Sequence, residues 1–278
     1  METLSCDDSP FENFIISDKW KLLHSLDNRS HCSKCMKSRK YFCYTCYLPV
    51  SEIQDQVPYV KLPLKVDIIK HCREIDGKST AAHAAVIAPN DVTIYTYPRI
   101  PNYTPDDKAV LIFPSKEATT VEELILQMKS ADSESDGHED IPFLKVVFID
   151  STWNQCKGIY KDSRIKSLPC VVLKSRITQF WRHQKGSPRW HLATIEAIHQ
   201  FFVELNIAMT ECEVETGSED LKKDAEDTGK QLEQETNQRP HCYNGEYDNL
   251  LFFFRFMYDK IHTLYDHDTL RSYKRPLE

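Results

Sequence analysis

The chain reads as an α/β protein built on a parallel sheet, and three observations predict this. Residues 143–149, Phe-Leu-Lys-Val-Val-Phe-Ile, are a nearly continuous apolar run of strand length, as expected of a strand covered on both faces. Comparable runs stand at 62–71, 109–113 and 168–174, with amphipathic helical patterns at 119–130 and 190–206. The central run ends at Asp150-Ser151-Thr152, all good helix N-cap residues, with Trp153, Cys156, Ile159 and Tyr160 at helical spacing behind them. Asp150 therefore stands at the carboxyl end of a central strand, where open α/β sheets bind ligands. The same position suits a residue that does no more than cap the helix.

The 278 residues suffice for one core of about 200 residues with appendages. No apolar run approaches the roughly 18 residues of a membrane helix. The opening Met1-Glu-Thr-Leu-Ser-Cys-Asp-Asp is acidic and lacks the basic, apolar pattern of a signal sequence, so secretion is not expected. The 10 cysteines are then expected as metal ligands or buried thiols, not as disulfides.

A net charge of −7 looks wrong for a nucleic-acid binder, but it is unevenly spread. Residues 211–235 hold 10 acids and 3 bases, which leaves 32 of each elsewhere. Residues 157–189 hold 9 bases against the single acid Asp162. That is the footprint of phosphate contacts or of a solvated basic face. The bases Lys157, Lys161, Arg164, Arg176, Arg182, Lys185 and Arg189 interleave with Phe180 and Trp181, and Arg and aromatic planes together suit unstacked RNA bases. Phe180 and Trp181 read equally well as core.

In chain order, residues 1–30 form an acidic arm with one short helix after Asp18. Residues 31–60 carry Cys32-Ser-Lys-Cys35 and Cys43-Tyr-Thr-Cys46, seven residues apart. Two such knuckles offer four thiolates, the donor set of a closed, structural zinc site. Residues 61–208 are the core. Asp76-Gly77 marks a turn, and Ser79 or Thr80 caps an Ala-rich helix over 80–86. Thr119 or Thr120 caps the helix carrying Val121, Leu124, Ile125 and Met128. Residues 132–140 form an acidic linker, and Ser187 with Pro188 starts the helix over 190–206. Within that helix Glu196 interrupts an apolar pattern, so it is either exposed or functional. Residues 209–240 are expected as an acidic insertion, disordered or loosely helical, and 241–278 hold a final helix that packs back on the core.

Asp150-Ser-Thr-Trp153 matches the D-x-T-W pattern of the DTW-domain family, tRNA-uridine aminocarboxypropyltransferases related to the SPOUT methyltransferases. The resemblance extends to the cysteine cluster, to His71-Cys-Arg-Glu74 with Ser79-Thr80, to Ile112-Phe-Pro-Ser115, and to Leu192-Ala-Thr-Ile-Glu-Ala197. It covers roughly residues 30–206 and is closest to the eukaryotic first type. What it implies is a SPOUT-like parallel core with a C-terminal trefoil knot, preceded by a small zinc knuckle. S-adenosylmethionine would lie in loops after three strands, near Pro114, Ser115, Thr152, Trp153, Leu173, Thr194 and Glu196. Asp150 would act as base at N3 of a D-loop uridine, position 20, with methylthioadenosine released. The expected partner is tRNA, the favoured state a monomer, and the expected compartment the nucleus, with the cytoplasm as a second.

The absent motifs narrow the field. There is no Gly-x-Gly, no P-loop, no Gly-x-Ser-x-Gly and no His-Glu-x-x-His, which removes dinucleotide, nucleotide-phosphate, hydrolase-elbow and zincin sites of those kinds. A SPOUT-type RNA methyltransferase and a non-catalytic zinc-ribbon adaptor remain as rivals.

Overall fold

The computed structural model describes residues 9–131, 141, 143–184, 187–216, 243–266 and 270–274. Its centre is a five-stranded, all-parallel sheet. The strands are β5 (Lys65–Lys70), β6 (Val92–Thr96), β7 (Ala109–Ile112), β8 (Lys145–Asp150) and β9 (Cys170–Val171), ordered β6-β5-β8-β7-β9. Ahead of them lie two short hairpins, β1 (Ser30–His31) with β2 (Ser38–Arg39), and β3 (Phe42–Cys43) with β4 (Leu48–Pro49).

Alternation along the strands separates two apolar layers. Val66, Ile68, Val110, Val146 and Phe148 belong to the large cluster with α1 (Ala81–Ile87), α2 (Val121–Ala131) and α5 (Thr194–Thr216). Ile69, Leu111 and Val147 join Ile159 of α3 (Trp153–Tyr160) and Ile165 of α4 (Ser163–Lys166) on the other face. Covering both faces is why the central strands read as unbroken apolar runs. The outer strands are shorter than their sequence runs, and β9 keeps only two residues of the run at 168–174.

Several helix starts follow side-chain capping. Thr120 and Glu123 exchange hydrogen bonds at the start of α2, and Ser79 Oγ accepts the Ala81 amide at the start of α1. The start predicted at Ser187-Pro188 is a correction. Residues 190–193 are not helical, and α5 begins at Thr194, where Glu196 accepts the Ala193 amide at 2.8 Å. This capping bond from the Glu196 carboxylate, with the bonds it accepts from Thr178 and Gln179, outweighs the propensity of Pro188.

The chain ends wrap the α1–α5 side. Phe252, Phe253, Phe254 and Phe256 of α6 (Phe252–Leu264) are buried in the large cluster. Residues 9–25, expected as part of a loose arm, lie against this helix: Phe11 is buried and its ring sits 6.1 Å from Phe254. The acidic linker at 132–140 and the acidic stretch beyond Thr216 lie outside the described residues, and α5 runs ten residues past Asn206 before that point.

One buried carboxylate ties these ends together. Asp248, fully buried, accepts the Ile15 amide at 2.6 Å and the Tyr243 hydroxyl at 2.9 Å, and meets His199 Nε2 of α5 at 2.9 Å. Burial pushes its carboxyl up, but His199 and the other donors together hold it below the usual range. Asp248→Ala strips three groups of their acceptor, two of them, on Tyr243 and His199, buried. It is expected to lower unfolding free energy by about 3 kcal/mol or more, read as a drop in the urea midpoint. A loss under about 1 kcal/mol would show that the tie contributes little.

Candidate functional site

The loops leaving β7, β8 and β9 meet at the carboxyl edge of the sheet and enclose a cavity of about 390 Å³. Its walls are Phe113 and Pro114 after β7, Ser151 and Trp153 after β8, residues 172–175 after β9, and Trp190 to Leu192 with Thr194 at the start of α5. The size falls in the range of small-molecule sites, about 300–1,000 Å³. Its aromatic lining is organised: the Trp153 and His191 rings lie 4.0 Å apart, and Phe113 stacks on Tyr160 at 4.2 Å. Flat rings beside hydroxyl groups and exposed strand-end backbone suit a ligand with a planar base and a polar tail.

Behind one wall sits Asp150, 5% exposed. Its two carboxylate oxygens accept from Ser79 Oγ at 2.7 Å and from Thr194 Oγ1 at 2.6 Å. Burial pushes its pKa up, opposed by these two hydroxyls and by the charge of Lys70. Glu74 is also pushed up, by burial first and then by the Asp150 charge. The backbone is pinned as well, since the Asp150 carbonyl accepts the His71 amide at 3.0 Å.

The cysteines converge beside the turn before α1, where Tyr44 lies against Gly77. The sulfurs of Cys32, Cys35, Cys43 and Cys46 all lie within 4.8 Å of one another, and Cys35 and Cys43 are 3.6 Å apart. A tetrahedron with metal–sulfur bonds of about 2.3 Å has edges of about 3.7 Å, so the donor set fits such an ion. Each knuckle closes the same way. Met36 and Tyr47 adopt φ of 58° and 56°, and their amides return to the carbonyls of Cys32 and Cys43. Burial pushes the Cys43 thiol up, yet the amides of Thr45 and Cys46 and the Arg39 guanidinium outweigh it and bring it down to about 6.

A second cavity, of about 270 Å³, separates the knuckles from the core, and Ser79, Tyr44, Trp181, Arg182 and His83 are among its walls.

The DTW domain family model matches residues 40–262 of this chain. The chain belongs to the DTW-domain family. This DTW-domain chain is 38% identical over 285 residues to "tRNA-uridine aminocarboxypropyltransferase 1" of Homo sapiens, covering 91% of this chain and 84% of that protein. It is 40% identical over 260 residues to the protein of the same name in Xenopus tropicalis, covering 83% and 78%. No solved structure matches it.

Of the residues expected at the cofactor, the DTW-domain chain brings Pro114, Trp153, Leu173 and Thr194 to the first cavity. Thr152 is off its wall, serving as N-cap of α3 in a capping box with Gln155. Ser115 also lies off the wall, its amide turned back to the Phe113 carbonyl at 2.8 Å. Glu196 is fully buried, so of its two readings exposure is ruled out, and it lies off this wall. It accepts the amides of Gln179 and Ala193 and the Thr178 hydroxyl, and so clamps the segment before α5.

The basic segment divides in the same way. Lys157 and Lys161 are exposed. Arg164 spends its donors on Asp162 and on the carbonyls of Ile100 and Pro98. Arg176 bonds Gln200 and lies 5.3 Å from the Phe14 ring, while Arg189 lies 5.4 Å from Tyr273. Phe180 is core, packed on Trp181 and Phe254. Lys185 lies outside the described residues. Sequence reasoning missed the bond from Ser79 to Asp150, taking Ser79 as a cap and as part of the family resemblance. It also missed His191, because a lone His carries no spacing signal.

Burial, then the Arg182 charge, bring the pKa of His83 down to about 3. An unfolded His takes a proton near 6.5, so below that pH the unfolded chain binds more protons than the folded one. Stability is therefore expected to fall as pH drops from about 6.5, by up to about 1.4 kcal/mol per unit for this group. Urea titrations at pH 7 and pH 5.5 measure it, and His83→Gln should flatten the dependence.

Proposed function

We propose that this chain is a tRNA-uridine aminocarboxypropyltransferase. It moves the 3-amino-3-carboxypropyl group of S-adenosylmethionine to N3 of a D-loop uridine, position 20, and releases methylthioadenosine. The observation that carries the reading is the position of Asp150, locked by Ser79 and Thr194 beside a strand-end cavity of cofactor size, in a chain of this family. Trp153, His191 and Leu173 would hold the donor there.

Uridine N3 carries a proton near neutral pH, so a base is required. Asp150 takes that proton. A new bond forms from N3 to the terminal carbon of the aminocarboxypropyl chain. The bond from that carbon to sulfur breaks, its electron pair stays on sulfur, and the sulfonium becomes a neutral thioether. The burial that raises the Asp150 pKa makes it a better base and favours its protonated form after the step. The sulfonium offers three carbons to attack, so choice among them rests on positioning. The rigid wall supplies it.

Several finer readings go with this one. Lys157, Lys161, Arg182 and Arg189 are assigned to tRNA phosphates, which makes binding steeply salt-dependent. The four cysteines are assigned a structural zinc ion. A SPOUT-like core with a C-terminal trefoil knot is supported by the strand order β6-β5-β8-β7-β9, in which the last strand flanks the third and the chain then returns to the site. The protein is read as a nuclear and cytoplasmic monomer.

Mass spectrometry on purified protein, S-adenosylmethionine and unmodified tRNA tests the transfer. The expected products are methylthioadenosine and an aminocarboxypropyl mass gain on a uridine. S-adenosylhomocysteine with a methyl gain would overturn the reading. Asp150→Asn is expected to lose at least about 10²-fold in turnover while still binding S-adenosylmethionine, and retained turnover would remove Asp150 as base. Elemental analysis should find one zinc per chain. Cys43→Ser is expected to lose the metal and to melt at lower temperature.

A further inference from the structure

The second cavity is unused by the mechanism above. Its walls join the knuckles, through Arg39, Tyr41 and Tyr44, to the turn before α1, through Lys78 and Ser79, and to Trp181 and Arg182.

Four properties set it apart from a packing gap. Arg29, Arg39, Lys40, Lys78 and Arg182 face it, and the one acid among the wall residues, Asp76, is already paired with Lys70. Arg29 and Arg39 are occupied by Ser38, Thr45 and Cys43, which leaves Lys40, Lys78 and Arg182 for an incoming anion, the last two within reach of the Glu74 charge. Aromatic rings also line it: Tyr41, Trp181 and Tyr44, whose ring carries the Arg39 guanidinium 3.9 Å over its centre. His83, on the same wall, is 5% exposed and its Nδ1 has no hydrogen-bond partner. A buried imidazole nitrogen left unsatisfied is costly unless something reaches it. Finally, Ser79 lines this cavity and donates to one Asp150 oxygen, while Thr194 lines the first cavity and donates to the other. The carboxylate itself lines neither cavity and is held by one residue from each lining.

We propose that this cavity is the nucleotide-receiving site. An unstacked uridine of the tRNA enters between knuckles and core, its phosphates on Lys40, Lys78 and Arg182 and its base on the tyrosine faces, and reaches Asp150 from the Ser79 side. Cations beside ring faces in a narrow concavity are the recognition chemistry of a single-stranded nucleotide, more than of a free anion, which needs no rings. The inference rests on the reading of the chain as a tRNA-modifying enzyme. It adds that the cysteine knuckles form half of the acceptor site.

The test uses the full-length protein and a tRNA transcript with 4-thiouridine in place of uridine, irradiated, digested and sequenced by mass spectrometry. Cross-links are expected on peptides containing Tyr41 and Tyr44 or Trp181. Lys78→Ala and Arg182→Ala are each expected to reduce the slope of log affinity against log salt by about 0.7, the value for one single-strand phosphate contact. S-adenosylmethionine binding, followed by calorimetry, should stay unchanged in both. Lys78 is exposed, so its replacement leaves the fold intact. Cross-links confined to other surfaces, with both slopes unchanged, would overturn the cavity assignment and leave the tRNA reading standing. A wild-type protein that binds no tRNA at low salt would overturn both.

Discussion

A carboxylate taken out of water keeps its charge only where donors reach it, and Asp150 ends the central strand inside the protein. Its two donors come from far away in the chain: Ser79 is 71 residues before it and Thr194 is 44 after. Both must dock at the end of β8 for that strand to terminate where it does. This constraint propagates. The turn before α1 can approach because every residue of α1 is buried and four of the seven are alanine, which lets the helix lie close on the sheet. The start of α5 can approach because Glu196 gathers the Gln179 and Ala193 amides, fixing the segment that delivers Thr194. A residue that sequence reasoning placed at the cofactor thus acts one step back, by holding the helix that holds the carboxylate.

The same economy governs the basic segment. A cation in water contributes to phosphate binding, whereas one whose donors are filled by carbonyls and carboxylates does not. Arg164 bridges Asp162 to the loop after β6, and so fastens α4 to the sheet edge. Burial lowers the pKa of Arg176, held among α5 and the N-terminal segment. What the composition presents as one basic patch is therefore two populations, one structural and one facing solvent.

That division explains what could and could not be read in advance. The strands at 143–149 and 109–113 were legible because both faces are covered, which leaves an unbroken apolar run. The knuckles were legible because two C-x-x-C pairs carry their ligand geometry in their spacing. The D-x-T-W stretch was legible as a strand end with caps, and the fold bears that out in the Thr152–Gln155 capping box. The start of α5 was misread because Ser187-Pro188 is a good local start that loses to a tertiary clamp on Glu196. Ser79 was read as a cap, which it is, but its second bond to Asp150 crosses 71 residues and has no local trace. The second cavity was invisible for the same reason. Its walls come from separate stretches of chain, and nothing in the knuckles or in Trp181-Arg182 alone shows that the fold brings them together.

A reaction between a small donor and a base in a large RNA has a geometric problem. The two partners must approach one atom from different directions without competing for one space. A single open cleft would leave the donor's three activated carbons exposed to water and to wrong attack angles. On the two-cavity reading proposed above, donor and nucleotide come from separate spaces, and the proposed base is held by one residue from each lining. Asp150 is held by Ser79 and Thr194, which line different cavities, so on that reading its orientation would be set before either partner arrives. The knuckles then have a reason to lie where they do. They bury Cys32 and Cys43, place Tyr44 against the loop at Gly77, and so form the outer lip of a space that the sheet alone leaves open.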